Sequence, residues 1–297
     1  LIFIYIYVSN NDPSVFFSTR DVAFYVTNNQ KNIYYFLILP KAMVSGLSIY
    51  LIYLLKSYKT KFFIIYLFLL IVLNFIICYP SSTPRLFVAS FYLGMTLILV
   101  DYNKLKTRIL FMIFMPIAYY TLLTYLSGTT RSYDKTSFDV FSILSFNFFG
   151  TLDFDTFWTS TLAIQYVNEN LPNFGLSLIS ALLVVIPRSV WISKAASSGD
   201  IFGDYFNLPF TSISCNFVCE SYLNFGIFGI FIFFFILKYL NSSLSKIKNS
   251  NFFIFYIIIN SYFMFIYRGS LGAPLSFLTP MFILIYIIIK LSKIRKV

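Results

Sequence analysis

The chain has 297 residues, of which 59% are apolar and only 11% are charged, and its mean hydropathy is +0.79. A soluble globular domain is about 45–50% apolar and about 25% charged. A core of this size cannot hide so much apolar surface from water, so a soluble protein is excluded. The net charge of +11 comes largely from Lys and Arg beside apolar runs, which indicates membrane orientation rather than nucleic-acid binding. The sequence has no His, which excludes His-based catalysis, His metal sites and His pH switches.

Seven apolar runs approach the length of about 20 residues that a membrane-spanning helix needs. They are Ile33–Leu55, Phe62–Tyr79, Leu86–Val100, Ile109–Ser127, Leu223–Lys238, Phe252–Tyr267 and Leu275–Lys290. The apolar run Leu1–Val8 predicts the end of one further span, and Leu176–Pro187 is too short to count as a crossing by itself. We therefore expect an all-α polytopic membrane protein, one integral membrane domain over residues 1–297 with about 8–10 transmembrane helices.

Basic residues predict the orientation of these spans. Residues 56–61, 102–108, 238–248 and 290–297 together hold thirteen Lys and Arg and no acid. Alternation of the spans places all four segments on one side, which the positive-inside rule makes cytoplasmic. The prediction is then N-terminal spans in 1–127, a large external loop at 128–222, and C-terminal spans with a basic cytoplasmic tail in 223–297.

The external loop Gly128–Tyr222 has eight of the ten acids predicted on that side and both Trp residues. Its apolar run Leu176–Pro187 either re-enters the membrane as a short helix, lies at the interface, or pairs with Phe138–Phe149 as a second short span. Long loops in compact proteins are usually functional or disordered, and the aromatic content favours an ordered loop. We expect the active surface here.

Four arginines lie near span ends on the external side: Arg85, Arg131, Arg188 and Arg268. A single arginine at this position can simply extend its guanidinium to lipid headgroups. Four of them on the side that is normally poor in basic residues favour a ligand instead. Guanidinium groups bind phosphate bidentately and stay charged at any working pH, so the pattern indicates a diphosphate at the outer membrane–water boundary.

Glu220 is the acid closest to a predicted span, three residues before Leu223. Partial desolvation would suit it to general-base work, while the alternative is a helix-start carboxylate favoured by the macrodipole. Asn224 lies one helical turn further on and is placed to share a substrate hydroxyl with Glu220. Gly226 and Gly229 favour close approach of a neighbouring helix.

Three other features have simpler interpretations. Asp153 and Asp155 match the D-x-D pattern of metal-dependent glycosyltransferases, but they lie outside, where nucleotide sugars are not supplied, so we interpret them as loop acids. Lys41 follows Pro40 in the first span, and we expect a kink there and a lysine that reaches the membrane surface. Cys215 and Cys219 have a spacing that lets them meet on a helix, but we interpret all three cysteines (Cys78 included) as small packing residues.

Two segments together resemble the bacterial O-antigen polymerases, the Wzy-type oligosaccharide repeat-unit polymerases. One is Ile186-Pro187-Arg188-Ser189-Val190-Trp191 followed by Lys194 and Gly199, and the other is Glu220-Ser221-Tyr222-Leu223-Asn224-Phe225-Gly226-Ile227-Phe228-Gly229. Thr83-Pro84-Arg85, Arg131 and Tyr267-Arg268-Gly269 match in the same order. Ile192 and Ala195 replace frequent prolines of the family, and Cys219 replaces a frequent glycine.

The resemblance implies an enzyme of the bacterial inner membrane whose external loop is periplasmic. It would transfer a growing glycan from undecaprenyl diphosphate to another lipid-linked repeat unit, without a cofactor or an obligatory metal. Glu220 and Arg188 would be catalytic; Arg268, with Arg85 or Arg131, would hold the diphosphate; and Trp191, Lys194, Asn224 and Tyr222 would contact substrate. The implied partners are the undecaprenyl-diphosphate-linked oligosaccharide, membrane lipids and a chain-length regulator protein that the sequence does not identify.

Other functions fit the sequence less well. O-antigen ligases carry an external catalytic His, which this chain lacks. A lipid-linked oligosaccharide flippase or other transporter would usually show internal repeats and polar residues at mid-membrane, and we find no repeat. A polymerase of capsule or another exopolysaccharide would need the same chemistry, so the product class stays open.

Overall fold

The structure is a computed structural model that describes residues 38–58, 61–79, 83–100, 104–115, 156–184, 186–208, 214–246 and 252–294. All regular secondary structure in these ranges is helical, as expected. In chain order the helices are α1 (Leu39–Ser57), α2 (Phe63–Ile77), α3 (Arg85–Leu99), α4 (Thr156–Glu169), α5 (Leu176–Leu182), α6 (Ser198–Tyr205), α7 (Phe217–Ser245), α8 (Phe253–Ser261), α9 (Phe263–Arg268) and α10 (Gly272–Ile294). Residues 105–115 are also helical. The predictions for Leu1–Val8, Arg131, Phe138–Phe149, Asp153, Asp155 and most of Ile109–Ser127 lie outside the described ranges.

Three of the described helices are long and apolar enough to cross a membrane, namely α1, α7 and α10. Helix α1 has 19 residues, about 28 Å of rise, which matches the hydrocarbon thickness. Helices α2 and α3 are apolar but shorter, with 15 residues each. These five helices overlap predicted spans, and the length and composition of three of them support the membrane character of the chain.

The chain forms two compact units, each with more contacts within itself than with the other. Unit 1 contains α1, α2 and α3 with residues 257–262 and 280–294. Its helices approach closely at two glycines: a Cβ at Gly46 would lie 2.8 Å from the Met281 side chain, and one at Gly94 would lie 3.2 Å from Ile49 and from Ser261. Most of α2 remains exposed, Ile64 by 79% and Phe68 by 65%, which suits a face that contacts lipid.

A column of polar side chains, called here the polar ladder, joins α1 to α2 and to the segment just before α3 inside unit 1. Ser45 Oγ lies 3.3 Å from Cys78 Sγ, Asn74 Nδ2 donates to Ser48 Oγ at 2.6 Å, and Lys41 Nζ donates to Thr83 Oγ1 at 3.0 Å. Lys41 is 3% exposed. The expectation that Lys41 reaches the membrane surface is therefore wrong, because Thr83 provides a buried partner for its ammonium group.

Pro40 does not interrupt α1 within the residues that the structure describes. It occupies the first turn of α1, a position where proline is tolerated because its missing N–H has no partner there anyway. The turn before it, on which the predicted kink would act, lies outside the described ranges.

Unit 2 contains α4, α5, α6, α7 and α9, together with residues 253–256 of α8 and the start of α10 up to residue 279. A small core forms where α4 and α6 meet the start of α7. Its members are Ala163, Phe202, Cys215, Cys219 and Leu223, with the partly buried Tyr166 and Tyr222 packed against them. Helix α5 has only seven residues, about 10 Å of rise, so Leu176–Pro187 is too short to span, as predicted.

Helix α7 folds back on itself at Phe225 and Gly226, whose backbone is not helical. The rings of Phe217 and Phe233 lie 5.3 Å apart, whereas a straight helix would separate these residues by about 24 Å. Gly226 has φ of 60°, which favours glycine. Residues 217–224 thus pack against 227–234, and only the second part of α7, about 28 Å long, is available to cross a membrane.

The close approach expected at Gly229 is present, and its partner is the first part of the same helix. A Cβ at Gly229 would lie 2.0 Å from the Ser221 carbonyl oxygen. Only a residue without a side chain fits, so Gly229 is a requirement of the fold-back. Nothing lies within 4 Å of a Cβ at Gly226, where the constraint is the backbone conformation.

The predicted span Phe252–Tyr267 is helical with one interruption. The structure has two helices, α8 and α9, with a turn at Tyr262. Ser261 Oγ donates to the Ile258 carbonyl at 2.8 Å. The same kind of bond occurs inside continuous helices, at Ser48 and Thr96 among others, so it does not by itself explain the break.

Candidate functional site

Glu220 is the centre of the candidate site in unit 2. It lies in the first part of α7 with 3% of its surface exposed. Its Oε1 accepts from Ser198 Oγ at 2.6 Å and from the Leu271 backbone N–H at 3.0 Å. Both bonds go to the same oxygen, and Oε2 has no hydrogen-bond partner among the described residues. The carboxylate is more deeply buried than the sequence predicted, and its Oε2 is available to accept a further hydrogen bond.

The start of α7 is capped by another residue. Asn216 Oδ1 accepts from the Cys219 backbone N–H at 2.7 Å, and Asn216 Nδ2 donates to Ser160 Oγ at 3.0 Å. Glu220 is in the first turn, but its oxygens bind Ser198 and Leu271 instead of the N–H groups of its own helix. These contacts favour a bridging carboxylate over one placed only for the macrodipole.

Asn224 is buried one helical turn after Glu220, and both the nitrogen and the oxygen of its side-chain amide form hydrogen bonds within the protein. Its Nδ2 donates to the Glu220 backbone carbonyl at 2.8 Å, and its Oδ1 accepts from Ser177 Oγ at 2.7 Å. The Asn173 N–H also donates to the Leu223 carbonyl at 3.0 Å. Asn224 therefore ties α5 to α7 just before the fold-back.

Arg188 and Lys194 stabilise the loop that follows α5. The Arg188 guanidinium donates to the carbonyls of Lys194 and Ala195 at 3.1 and 3.2 Å. Lys194 Nζ donates to the carbonyls of Leu183, Val184 and Ile186 at 3.2, 3.2 and 2.8 Å. Arg188 is nevertheless exposed.

The ammonium of Lys194 sits at the C-terminal end of α5, where carbonyl groups need donors. Partial burial, with the nearby Arg188 charge as the smaller cause, lowers the pKa of Lys194. Trp191 is half-buried, and its Nε1 donates to Ser193 Oγ at 3.0 Å. Lys194 thus has a structural role in this loop beside the predicted substrate contact.

Arg268 lies at the start of the short segment between α9 and α10 that also carries Leu271, a hydrogen-bond partner of Glu220. Arg268 ends α9 and is half-buried, and Leu271, three residues later, donates its N–H to Glu220. Three residues of chain reach at most about 11 Å. Tyr267 packs its ring 5.2 Å from Phe217, the first residue of α7. Unit 2 therefore holds Glu220, Arg188 and Arg268, whereas Arg85 belongs to unit 1.

The sequence did not predict Ser198 and Ser177, which hold the two key polar side chains of α7. Ser198 begins α6, and its hydroxyl is buried against Glu220. The one nearby signal is Gly199, which follows it in the motif. A serine hydroxyl gives no pattern along the chain, and partners 22 and 47 residues away cannot be paired from spacing.

The interpretation of the cysteines as packing residues is wrong for two of them. Cys215 and Cys219 form a disulfide with a Cα–Cα distance of 5.6 Å, which a spacing of four residues readily provides. Cys78 is a buried free thiol. The disulfide joins Cys215, just before α7, to Cys219 in the first turn of that helix, and so fixes the start of α7 next to Glu220.

We expect mass spectrometry to detect this disulfide directly. Alkylation of the denatured chain without reductant should label one thiol, that of Cys78, and prior reduction should raise the number to three. Labelling of all three thiols without reductant, in protein purified under conditions that prevent exchange, would contradict the bridge.

No protein-family model matches the chain, and no curated protein or solved structure shows significant similarity to it.

Proposed function

We propose that the chain polymerises O-antigen repeat units carried on undecaprenyl diphosphate, at the periplasmic face of the bacterial inner membrane. The observation that carries the proposal is Glu220, a buried carboxylate whose Oε2 has no hydrogen-bond partner among the described residues. Its Oε1 is held in part by Leu271, in the segment that begins with Arg268. The proposal includes about 8–10 transmembrane helices, a periplasmic loop at 128–222 and a cytoplasmic C-terminus.

The proposed transfer uses a base and cations. Glu220 Oε2 takes the proton of the acceptor hydroxyl. The hydroxyl oxygen then forms a bond to the anomeric carbon of the donor glycan. The bond from this carbon to the diphosphate oxygen breaks, and its electron pair leaves with undecaprenyl diphosphate. Arg188 and Arg268 neutralise the developing charge, and Trp191 stacks a sugar ring.

The disulfide supports the proposed orientation. Disulfides persist outside the cytoplasm and are rare inside it. Cys215 and Cys219 both belong to the segment that the basic residues predict to be external. Two independent features, one from charge and one from a covalent bond, thus favour the same side.

A second candidate is transport of a lipid-linked oligosaccharide, which the buried Lys41 and the polar ladder favour, because polar groups inside spans often mark a pathway. The two functions differ in where repeat units accumulate in a deletion strain. Loss of a polymerase leaves single units on the surface, whereas loss of a flippase leaves them inside the cell.

The proposed function predicts a specific lipopolysaccharide pattern. A deletion strain should lose its O-antigen ladder and retain core plus a single unit on a silver-stained gel, and the wild-type gene should restore the ladder. Arg188→Ala should fail to restore it at normal protein levels, because exposed guanidinium contacts to the diphosphate are lost. Core without any unit would favour transport, and an unchanged ladder would contradict an O-antigen product and direct the same test to capsule or another exopolysaccharide.

A further inference from the structure

Helix α5 presents its large apolar side chains outward and buries its small ones. Ser177, Ser180 and Ala181 are buried, and both serine hydroxyls form hydrogen bonds within unit 2. The exposed side chains of α5 and of the residue that ends it are large and apolar, each 44–49% exposed: Leu176, Ile179, Leu182 and Leu183. In water the arrangement is the reverse, because apolar side chains turn toward the core and polar ones toward solvent. The outer face of α5 is therefore suited to an apolar surrounding.

The loop after α5 adds two further exposed apolar side chains. Val190 and Ile192 are 75% and 88% exposed. Lys194 Nζ donates to the Leu183 carbonyl at 3.2 Å, which keeps this loop at the C-terminal end of α5. The name apolar patch is used here for Leu176, Ile179, Leu182, Leu183, Val190 and Ile192. A cluster of exposed apolar side chains usually marks a surface that contacts a protein or a membrane.

Helix α5 packs against the point where α7 folds back and its second part begins. A Cβ at Gly175, the residue before α5, would lie 2.8 Å from the Phe225 ring. Directly after the fold-back, Ile227 and Phe228 are 60% and 74% exposed, and they begin the part of α7 that is available to cross a membrane. The apolar patch therefore adjoins the end of a candidate span, at the depth where the bilayer surface would lie.

The charges around the apolar patch complement a lipid surface. Residues 170–199 contain no acid, and their only charged side chains are Arg188 and Lys194. Trp191 lies between the two apolar residues of the loop. Tryptophan is enriched at the level of the headgroups, and basic side chains beside apolar ones are typical of segments that lie in the membrane interface. Both features favour a membrane surface as the partner of the patch.

We propose that the apolar patch inserts into the surface of the lipid bilayer, so that α5 lies in the membrane interface without crossing it. Of the three placements that the sequence leaves open for Leu176–Pro187, this is the interfacial one. The insertion keeps Arg188 and Lys194 at the level of the lipid headgroups. It does not rest on the proposed function, because a transporter with the same loop would have the same contact with lipid.

The test measures tryptophan fluorescence of the full-length chain in phosphatidylcholine nanodiscs. The sequence has two Trp residues, so the Trp158→Phe variant leaves Trp191 as the single reporter beside the apolar patch. Lipids with bromine near the glycerol end of the acyl chain should reduce its fluorescence about twofold or more, because interfacial Trp residues lie close to the headgroups. Bromine near the methyl end should reduce the fluorescence less.

Two results would overturn the proposal. Quenching by aqueous acrylamide as efficient as that of free tryptophan, without any effect of brominated lipid, would place the patch in water. Protection from both quenchers would show that protein covers the patch, whether another segment of this chain or a second copy.

A charge placed in the patch should withdraw it from lipid. In the Trp158→Phe chain, Ile192→Asp should reduce the quenching by brominated lipid about threefold or more, because a charged side chain is costly in hydrocarbon. The matched control is Asn168→Asp, which introduces the same charge at an exposed position of α4 outside the patch. It should leave the quenching unchanged. Equal quenching of the two variants would contradict insertion of the loop.

A second pair of chains covers the case in which Trp158→Phe does not fold. The difference in quenching between the wild type and Trp191→Phe reports the same tryptophan, and no difference with brominated lipid would overturn the proposal. A deletion strain that keeps its glycan ladder would contradict the proposed function, but it would leave these fluorescence results unchanged.

Discussion

Replacing Glu220 with glutamine is expected to abolish the glycan ladder while the protein still accumulates. Glutamine can keep both bonds, because its amide oxygen accepts from Ser198 Oγ and from the Leu271 N–H as the carboxylate does. It cannot take a proton from the acceptor hydroxyl. A general base contributes roughly 10²–10⁴ in rate, so polymerisation should fall by at least about a hundredfold. Silver-stained lipopolysaccharide beside an immunoblot of the membrane fraction measures both quantities.

Two further variants separate chemistry from structure in this experiment. Glu220→Ala leaves the buried Ser198 hydroxyl and Leu271 N–H without an acceptor, at a cost of about 1–3 kcal/mol each, so it should also lower protein abundance. The matched control is Glu169→Gln, an exposed acid of unit 2 whose pKa is lowered by its hydrogen bond from Tyr205. It should keep a full ladder. A ladder of wild-type length from Glu220→Gln would remove Glu220 from the proposed transfer.

The second large effect concerns the fold-back of α7. Gly229→Ala should destabilise the protein by about 3 kcal/mol or more, because the added Cβ would lie 2.0 Å from the Ser221 carbonyl oxygen. No rotamer relieves a clash between Cβ and backbone. The detergent-extracted variant should therefore lose its monodisperse peak in size-exclusion chromatography at temperatures that the wild type survives.

Gly272→Ala is the matched control, since nothing lies within 4 Å of a Cβ at the first residue of α10. It should elute and melt as the wild type does. If Gly229→Ala behaved like Gly272→Ala, residues 217–224 would not pack against 227–234 as the structure describes.

The sequence predicts the apolar helices well and their interruptions poorly. Hydropathy and length are properties of a run, and α1, α2, α3 and α10 follow them closely. The turn at Tyr262 and the fold-back at Phe225 and Gly226 both lie within apolar runs. A glycine with positive φ, such as Gly226, changes the path of the chain without changing its hydropathy.

The candidate site was predicted in its residues more than in its contacts. Glu220, Arg188 and Arg268 follow from charges near span ends, which a sequence displays. The partners of Glu220 lie 22 and 51 residues away, and they are a hydroxyl and a backbone N–H, which carry no signal of their own. The same limit hid Thr83 as the partner of Lys41, 42 residues away, and led to the wrong expectation for that lysine.

The segment that carries Glu220 is fixed at both ends, by the disulfide at Cys219 and by the turn at Gly226. One residue inserted between these points would rotate the following side chains by about 100°. Glu220 would then no longer face Ser198, or a residue other than Gly229 would lie against the Ser221 carbonyl oxygen. Length variation among homologous chains should therefore be confined to other parts of the loop, and this stretch should keep a constant residue count even where its apolar side chains differ.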